Sequence, residues 1–528
     1  MTFDRKNDTN CYSIDKTINF PIDKYNRTLL DVLKDIEPDK QEKEFIDKVL
    51  SEILKNFQKE LIERGLNKVE IVVSGSVAKN TYLKGVRDID VFFLITDDFT
   101  IENFFPIFEK IIDKVFQDSE KIKAYAQHPY IQVYKTFKFT IGKKKITRRI
   151  RIDIVPSYKI TSSNELKSSV DRTQLHTQYI NIHLSEERKK EVLLLKQFLK
   201  ANDLYGAEHK TLGFSGYLCE LLILKFGTFL DVLRYFASFK REPLIMPENL
   251  ILDKSQIQSI ETIMEQLSSS TNSAMIFLDP VDLKRNVAAA VSHNSLGKLI
   301  LLSRAFLEMP SKDFFYSKMN KVSAKSLKKK LIQTFKQRKT YIFGLKFKKP
   351  ELIDDIFYPQ FKKTVNKILT ELQLNDFRLF GHYYIVHNDY CYIIIESFER
   401  YLPKVKRIDG PDVTFSHALN NFLSSHNDAI NFHFERSNIV AIKKRDETNS
   451  DVLKLIKKIL SDEQIATRIG IPKEIYKSIQ KSYKFLDLKK LVKEIPEHLN
   501  IYLYGLWSDK CLSRYFNSLR NSTLKKYK

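Results

Sequence analysis

Four cysteines in 528 residues, at Cys11, Cys219, Cys391 and Cys511, lie far apart. None has the paired spacing of a zinc site or a redox motif, and a reducing, cytosolic setting fits best. Long apolar runs are also missing. The longest, such as ELLIL at 220–224 and YIIIE at 392–396, fall far short of the roughly 20 residues that span a bilayer. The first stretch, MTFDRKNDTNCYSIDKTINF, is polar and has no apolar signal core, so nothing in it directs the chain to secretion. Internal repeats and low-complexity tracts are absent.

Acidic residues are in deficit. There are 65 Asp and Glu against 88 Lys and Arg, a net charge of +23, and an excess of that size points to a polyanionic partner. The excess is clustered, in GKKKITRRIR at 142–151, KSLKKKLIQTFKQRK at 325–339, LKFKKP at 345–350 and LKKLVK at 488–493. Tyr and Phe often stand beside these cations, a pairing that suits single-stranded or terminal nucleotides. With 43% hydrophobic and 29% charged residues the composition is that of a soluble globular protein with about three to five domains' worth of chain.

Residues 39–66 have the apolar spacing of a long amphipathic helix, and KVEIVVSGS and RDIDVFFLI read as strands with a loop between them. A helix in ENFFPIFEKIIDKVFQ is expected despite Pro106. YIQVYKTFKF and KITRRIRIDIVPSY then read as strands, the second ended by Pro156. From about 165 to 270 the pattern turns helical, with a helix capped at Ser185 and ending near Asn202. Beyond it, TYIFGLKFKK, RLFGHYYIV and CYIIIESFE read as strands, and FYPQFKKTVNKILTELQL and DVLKLIKKILS as helices.

The chemistry is concentrated in SGSVAKNTYLKGVRDIDVFFLI, residues 74–95. Successive side chains of a strand point to opposite faces, so Asp88 and Asp90 share one face and Ile89 and Val91 the other. Two like charges in one small space favour a hard divalent cation between them. In RRIRIDIVP the same alternation places Ile150, Ile152 and Ile154 on one face and Arg149, Arg151 and Asp153 on the other. If the two strands are neighbours, three aspartates converge, the arrangement a two-metal displacement at phosphorus requires. Gly75 and Ser76, where a strand turns into a short helix, would supply backbone N–H groups and a hydroxyl to a triphosphate. An isolated D-x-D is ordinarily the solvated face of an edge strand; the upstream Gly-Ser and the third aspartate set this one apart.

These residues resemble the nucleotidyltransferase superfamily shared with DNA polymerase beta. Further blocks, HPYIQV, IDIVPSY, SSVDRTQLH, KANDLYGAEHKTLGFSGYLCELL, LDPVDLKRNVAAAVS and LKFKKPELIDDIFYPQ, follow one another as in the archaeal-type (class I) CCA-adding tRNA nucleotidyltransferases. The resemblance implies that Asp88, Asp90 and Asp153 are the magnesium ligands of a two-metal site. It implies that Gly75, Ser76, Lys79, Thr173, His176, Lys196 and Tyr205 serve the nucleotide triphosphate, that Arg285 reads the base, and that His128 belongs to the same nucleotide-binding set. Two positions depart from the family. Lys79 stands where arginine is usual, keeping charge but losing a two-pronged contact, and Asp88 stands where glutamate is usual. From spacing alone, Lys189, Lys196 and Lys200 form a polar stripe that would ordinarily be a solvated helix face.

The implied fold is α+β multidomain: a polymerase-beta-like mixed-sheet nucleotidyltransferase head (26–162) after a polar extension (1–25), a helical neck domain (163–270), an α/β body (271–350 with 435–528) and a tail (351–434). The implied activity is template-independent addition of C, C and A to the tRNA 3′ end from CTP and ATP, in the cytoplasm and without a membrane. The partner would be the tRNA acceptor arm, and a homodimer is admitted. A poly(A) polymerase or other terminal RNA nucleotidyltransferase, and an inactive tRNA-binding protein on the same scaffold, are the alternatives.

Overall fold

A computed structural model of the chain describes residues 22–125, 128–241, 244–246, 262, 265, 274–316, 324–505 and 509–526. The chain divides into two compact units, residues 1–318 with 514–528, and residues 319–513. Most of the expected polar extension and much of 247–273 lie outside the described residues. The last residues of that extension open the first helix, α1 (Ile22–Ile36).

In the first unit α2 (Lys40–Glu63) starts at Asp39, whose side chain accepts from the Glu42 N–H. A five-stranded mixed sheet follows, built from β1 (Glu70–Ser74), β2 (Asp88–Ile95), β3 (Glu120–Tyr125), β4 (Pro129–Ile141) and β5 (Lys144–Tyr158) in the order β1-β2-β5-β4-β3. Only β2 and β5 run parallel; the other neighbours are antiparallel. Between β1 and β2 lies a single turn of helix, α3 (Gly75–Ala78), and between β2 and β3 lies α4 (Ile101–Val115). Alternation decides which face is covered. Ile89, Val91, Phe93 and Ile95 of β2 and Ile150, Ile152 and Ile154 of β5 pack against Phe45, Val49, Ile53 and Phe57 of α2 and Phe104 and Phe108 of α4. The carboxylates alternate with those residues and emerge on the opposite face, which the two helices leave open.

Pro156 does not end β5, contrary to the sequence reading. The Arg151 N–H donates to Arg87 O and the Lys159 N–H to Ile95 O, so odd-numbered residues direct their N–H groups at β2. The nitrogen of Pro156 therefore faces β4, whose pairing stops at Ile131 opposite Ile154. A proline beyond the last paired residue removes no ladder bond.

The helical part of this unit contains α5 (Arg172–His183), α6 (Glu186–Ala201), α7 (Gly216–Phe226) and α8 (Phe229–Ala237), then a short hairpin of β6 (Leu278–Asp279) and β7 (Asp282–Asn286), and the helix His293–Glu308. The Ser185 side chain caps α6 by accepting from the Arg188 N–H, and α6 ends at Asn202, as the spacing predicts. Gly227, at φ +94, separates α7 from α8. Phe198, Phe229, Phe306 and Phe315 pack edge-on at the centre of this part. Residues 274–316 thus group with the first unit rather than with the expected body.

The second unit is built on an antiparallel sheet, β14-β8-β10-β9, with β8 (Tyr341–Lys348), β9 (Leu379–His387), β10 (Tyr390–Ser397) and β14 (Lys484–Asp487). One face packs Phe343, Leu345, Ile393 and Ile395 on the helix Asp354–Leu374, and the other packs Ile342, Tyr392 and Ile394 on Leu331, Phe335 and Leu491. Burial on both faces explains why CYIIIE is continuously apolar. A separate three-stranded sheet, β11 (Val405–Asp412), β13 (Asn438–Lys444) and β12 (Asn431–Glu435), carries the helix Ser416–Ser425. The expected tail, 351–434, is therefore split: residues 354–397 share the larger sheet's core, and 405–444 form the smaller sheet. The interleaved cations and aromatics are partly engaged within this unit. Lys330 lies over Tyr504 at 4.5 Å, Arg338 over Phe380 at 5.0 Å and Lys346 over Tyr390 at 4.2 Å.

Candidate active site

The parallel pairing of β2 and β5 sets Asp90 opposite Asp153 and Asp88 opposite Arg151. Two strands that alternate in step thus bring all three predicted carboxylates to one face. Arg151 stands among them, its Nε 3.4 Å from Asp88 Oδ1 and 3.2 Å from Asp153 Oδ1. Close as they are, the angles are poor. Arg151 Nε and Asp153 Oδ1 are both buried atoms with no aligned hydrogen-bond partner. Burial, reinforced by the neighbouring Asp153, pushes the Asp90 carboxyl up to about 6. Burial likewise raises Asp153. Three carboxylates against one guanidinium leave two negative charges unbalanced, and the orphaned Asp153 oxygen has room for another partner. This donor set, all hard oxygen, fits a divalent cation. Among the described residues no group of three or more His, Cys, Asp or Glu is placed so that it could hold a metal ion as it stands; here Arg151 lies against both Asp88 and Asp153.

Gly75 is dictated by this cluster. Its φ is +71, and a Cβ there would lie 1.9 Å from Asp90 Oδ2. Only glycine lets the chain turn from β1 into α3 this close to the carboxylate. Ser76 follows, half-buried, its carbonyl accepting from the Thr81 N–H at 3.0 Å.

Beyond α3 the chain delivers Lys79 to a buried ionic cluster. Lys79 Nζ donates to Glu220 Oε2 at 2.5 Å, Thr81 Oγ1 donates to Glu220 Oε1 at 2.6 Å, and Lys196 Nζ donates to Glu220 Oε1 at 2.9 Å. Lys196 also donates to the carbonyl and the hydroxyl oxygen of Thr81, each at 2.9 Å. The solvated stripe expected on α6 is therefore broken. Lys200 is exposed and Lys189 half-buried, but Lys196 is 2% exposed. Burial alone would raise the Glu220 carboxyl, yet Lys196 and Lys79 outweigh it and hold the group down to about 2. Tyr205 adjoins the cluster: a Cβ on Gly216 would sit 3.0 Å from the Tyr205 hydroxyl and 3.6 Å from Lys196 Nζ.

A second buried carboxylate gathers the remaining predicted contacts. Asp279 accepts from His176 Nε2 at 2.9 Å, Arg285 Nη1 at 2.8 Å and the Tyr217 hydroxyl at 3.0 Å. The His176 and Tyr217 rings stack at 3.9 Å, and Tyr217 lies beneath Lys79 at 5.7 Å. Burial lowers the His176 imidazole despite Asp279. Thr173 is three residues before His176 in α5, on the same side of the helix. His128 is placed apart from these groups: it is buried, and its Nε2 donates to the Pro156 carbonyl at 2.5 Å.

Three families match successive parts of this chain: a nucleotidyltransferase domain over residues 52–176, a tRNA nucleotidyltransferase second domain over 190–316, and a CCA-adding enzyme C-terminal domain over 338–487. A CCA-adding enzyme of Methanococcus maripaludis is 34% identical over 82% of this chain and 91% of its own length. The chain belongs to the CCA-adding enzyme family. Enzymes of the same name from Pyrococcus abyssi and Archaeoglobus fulgidus are 32% and 34% identical, covering 75% and 67% of this chain and 82% and 74% of their own lengths. In this CCA-adding enzyme, sequence reasoning left out Glu220, Tyr217 and Asp279. The available signals were a lone acid inside the apolar helix GYLCELLILKF and the two aspartates of LDPVD, since a charge that the pattern buries has to have a partner.

Proposed function

We propose that this CCA-adding enzyme builds the C, C and A of the tRNA 3′ terminus from CTP and ATP, without a nucleic-acid template. The observation that carries the chemistry is the register of β2 and β5, which opposes Asp90 to Asp153 beside Gly75. Asp88, Asp90 and Asp153 would hold magnesium in a two-metal site, which when bound acidifies the attacking hydroxyl and neutralises charge at the phosphate. Gly75 and Ser76 line the approach of the triphosphate, and Lys79 offers its ammonium to the leaving pyrophosphate. The tRNA 3′ hydroxyl forms the new bond to the α-phosphorus as it loses its proton, and the bond from that phosphorus to pyrophosphate breaks. Arg285, oriented by Asp279, presents its remaining N–H groups to a base edge, where a wrong base would leave polar groups unpaired. His128 holds the rim of β5 and, in this reading, acts on the nucleotide only through that rim.

The basic surface grips the tRNA acceptor arm chiefly through phosphates, and the enzyme works in the cytoplasm; assembly as a homodimer is part of the same reading. Among the described residues no helix is long and apolar enough to cross a membrane. The test is the product. Purified protein, magnesium, CTP, ATP and tRNA ending before its CCA should give three added nucleotides. A long A tail would identify a poly(A) polymerase instead, and no addition would identify a binding scaffold.

A further inference from the structure

The Glu220 cluster carries more positive than negative charge. Two ammonium groups face one carboxylate, and the side chains of Lys79, Lys196 and Glu220 are 7%, 2% and 0% exposed. A buried surplus of one positive charge is unfavourable unless an anion completes it. The side facing the carboxylates is where an anion would arrive, because Lys79 closes the single turn α3 whose first residue, Gly75, abuts Asp90.

The two lysines are not equivalent. An ammonium has three protons and no acceptor. Those of Lys196 have three acceptors, Thr81 O, Thr81 Oγ1 and Glu220 Oε1, all at 2.9 Å. Lys79 makes one hydrogen bond, to Glu220 Oε2 at 2.5 Å, and its other two N–H groups have no protein acceptor among the described residues. The Thr81 hydroxyl, which gives its proton to Glu220 Oε1, fixes the carboxylate plane between them.

We propose that Glu220 is a positioning residue for the triphosphate: its carboxylate anchors the Lys79 ammonium by one proton and aims the other two at the phosphate chain. Lys196 and Thr81 hold Glu220 in turn. This assignment rests on the reading of Lys79 as the triphosphate contact. It also accounts for lysine in place of arginine at 79, since a compact ammonium with a carboxylate behind it is oriented without a planar fork.

The test uses inorganic tripolyphosphate as an inhibitor of CMP addition to tRNA lacking its CCA, with the full-length enzyme. Lys79→Met should weaken tripolyphosphate about tenfold or more, the loss of a hydrogen bond to a charged group. Glu220→Asp keeps the charge but shortens the reach and should weaken it by a similar factor, raising KM for CTP more than it lowers kcat. In the double variant the loss should equal that of Lys79→Met alone, a non-additivity that a merely structural Glu220 would not produce. Multiplying effects of Lys79→Met and Glu220→Asp would overturn the positioning role and leave Lys79 as a phosphate contact. Unchanged tripolyphosphate binding in Lys79→Met would remove both. If Glu220→Asp does not fold, Thr81→Val enters the same cycle, with a smaller loss that must again vanish beside Lys79→Met.

Discussion

Two charged clusters in the first unit are opposites in composition and in setting. The aspartates of β2 and β5 carry excess negative charge, lie toward the open face of the sheet and include Asp88, whose side chain is 57% exposed. The cluster around Glu220 carries excess positive charge and is closed to solvent on every side chain. The first is unfinished toward a cation and the second toward an anion. In the proposed reading a metal-bound nucleotide would supply both, and each cluster alone tolerates what that substrate would correct. The open cluster tolerates it by shifting the Asp90 carboxyl, and the closed one by saturating Lys196 and leaving Lys79 underused.

The comparison breaks most severely at Asp90. Asp90→Asn should reduce nucleotide addition about a thousandfold or more while the protein still folds, because it removes a proposed metal ligand and relieves a repulsion; steady-state kinetics and a melting curve check both halves. Unchanged addition would remove Asp90 from the site. Lys196→Met should do the reverse, lowering stability by about 3 kcal/mol through loss of a buried ion-pair partner. A urea midpoint equal to that of the unsubstituted protein would show that Glu220 does not need both lysines.

Gly75→Ala tests the steric side of the open cluster. The left-handed φ of +71 and a Cβ at 1.9 Å from Asp90 Oδ2 would displace the carboxylate, and kcat/KM should fall by about 10- to 100-fold with the ionic cluster at Glu220 intact.

The smallest effect is in pH dependence. Asp90 is raised in the folded state to about 6 from the usual 3.8, so the stability it confers is fully present below pH 3.8 and is lost as pH rises through 6. Between pH 5 and 7 this amounts to about 1 kcal/mol in the metal-free protein. Asp90→Asn should abolish that loss, and saturating magnesium should shrink it. Glu220 runs the other way. Held down to about 2, it contributes stability above pH 4.5 that is lost as pH falls toward 2, a separate acid limb in an unfolding titration.

The open cluster was legible in the sequence and the closed one was not, for a physical reason. Strand alternation has a period of two, so DIDV and RIDIV announced which carboxylates share a face, and β2–β5 pairing needed only to be parallel and in step. Residues 192–199 of α6 and 217–223 of α7 are buried almost all round, and there periodicity no longer separates inside from outside. Lys196 looked solvated beside Lys189 and Lys200, and Glu220 looked like an irregularity in an apolar run. Their partnership joins residues 141 positions apart in the case of Lys79 and Glu220, which no local pattern encodes. The reading of Pro156 as a strand end failed similarly, because it depended on how far β4 extends alongside. The unit boundary near residue 318 was missed because LDPVDLKRNVAAAVS completes the helical part through Asp279, a contact formed by folding and invisible to composition.

Glu220 also has a mechanical consequence. Lys79 and Thr81 belong to the chain leaving the mixed sheet, and Lys196 and Glu220 to α6 and α7. A hinge opening between these parts would drag a carboxylate and two ammonium groups apart in a dry interior. The chain leaving the mixed sheet is thus fastened to α6 and α7 by charge that water does not reach.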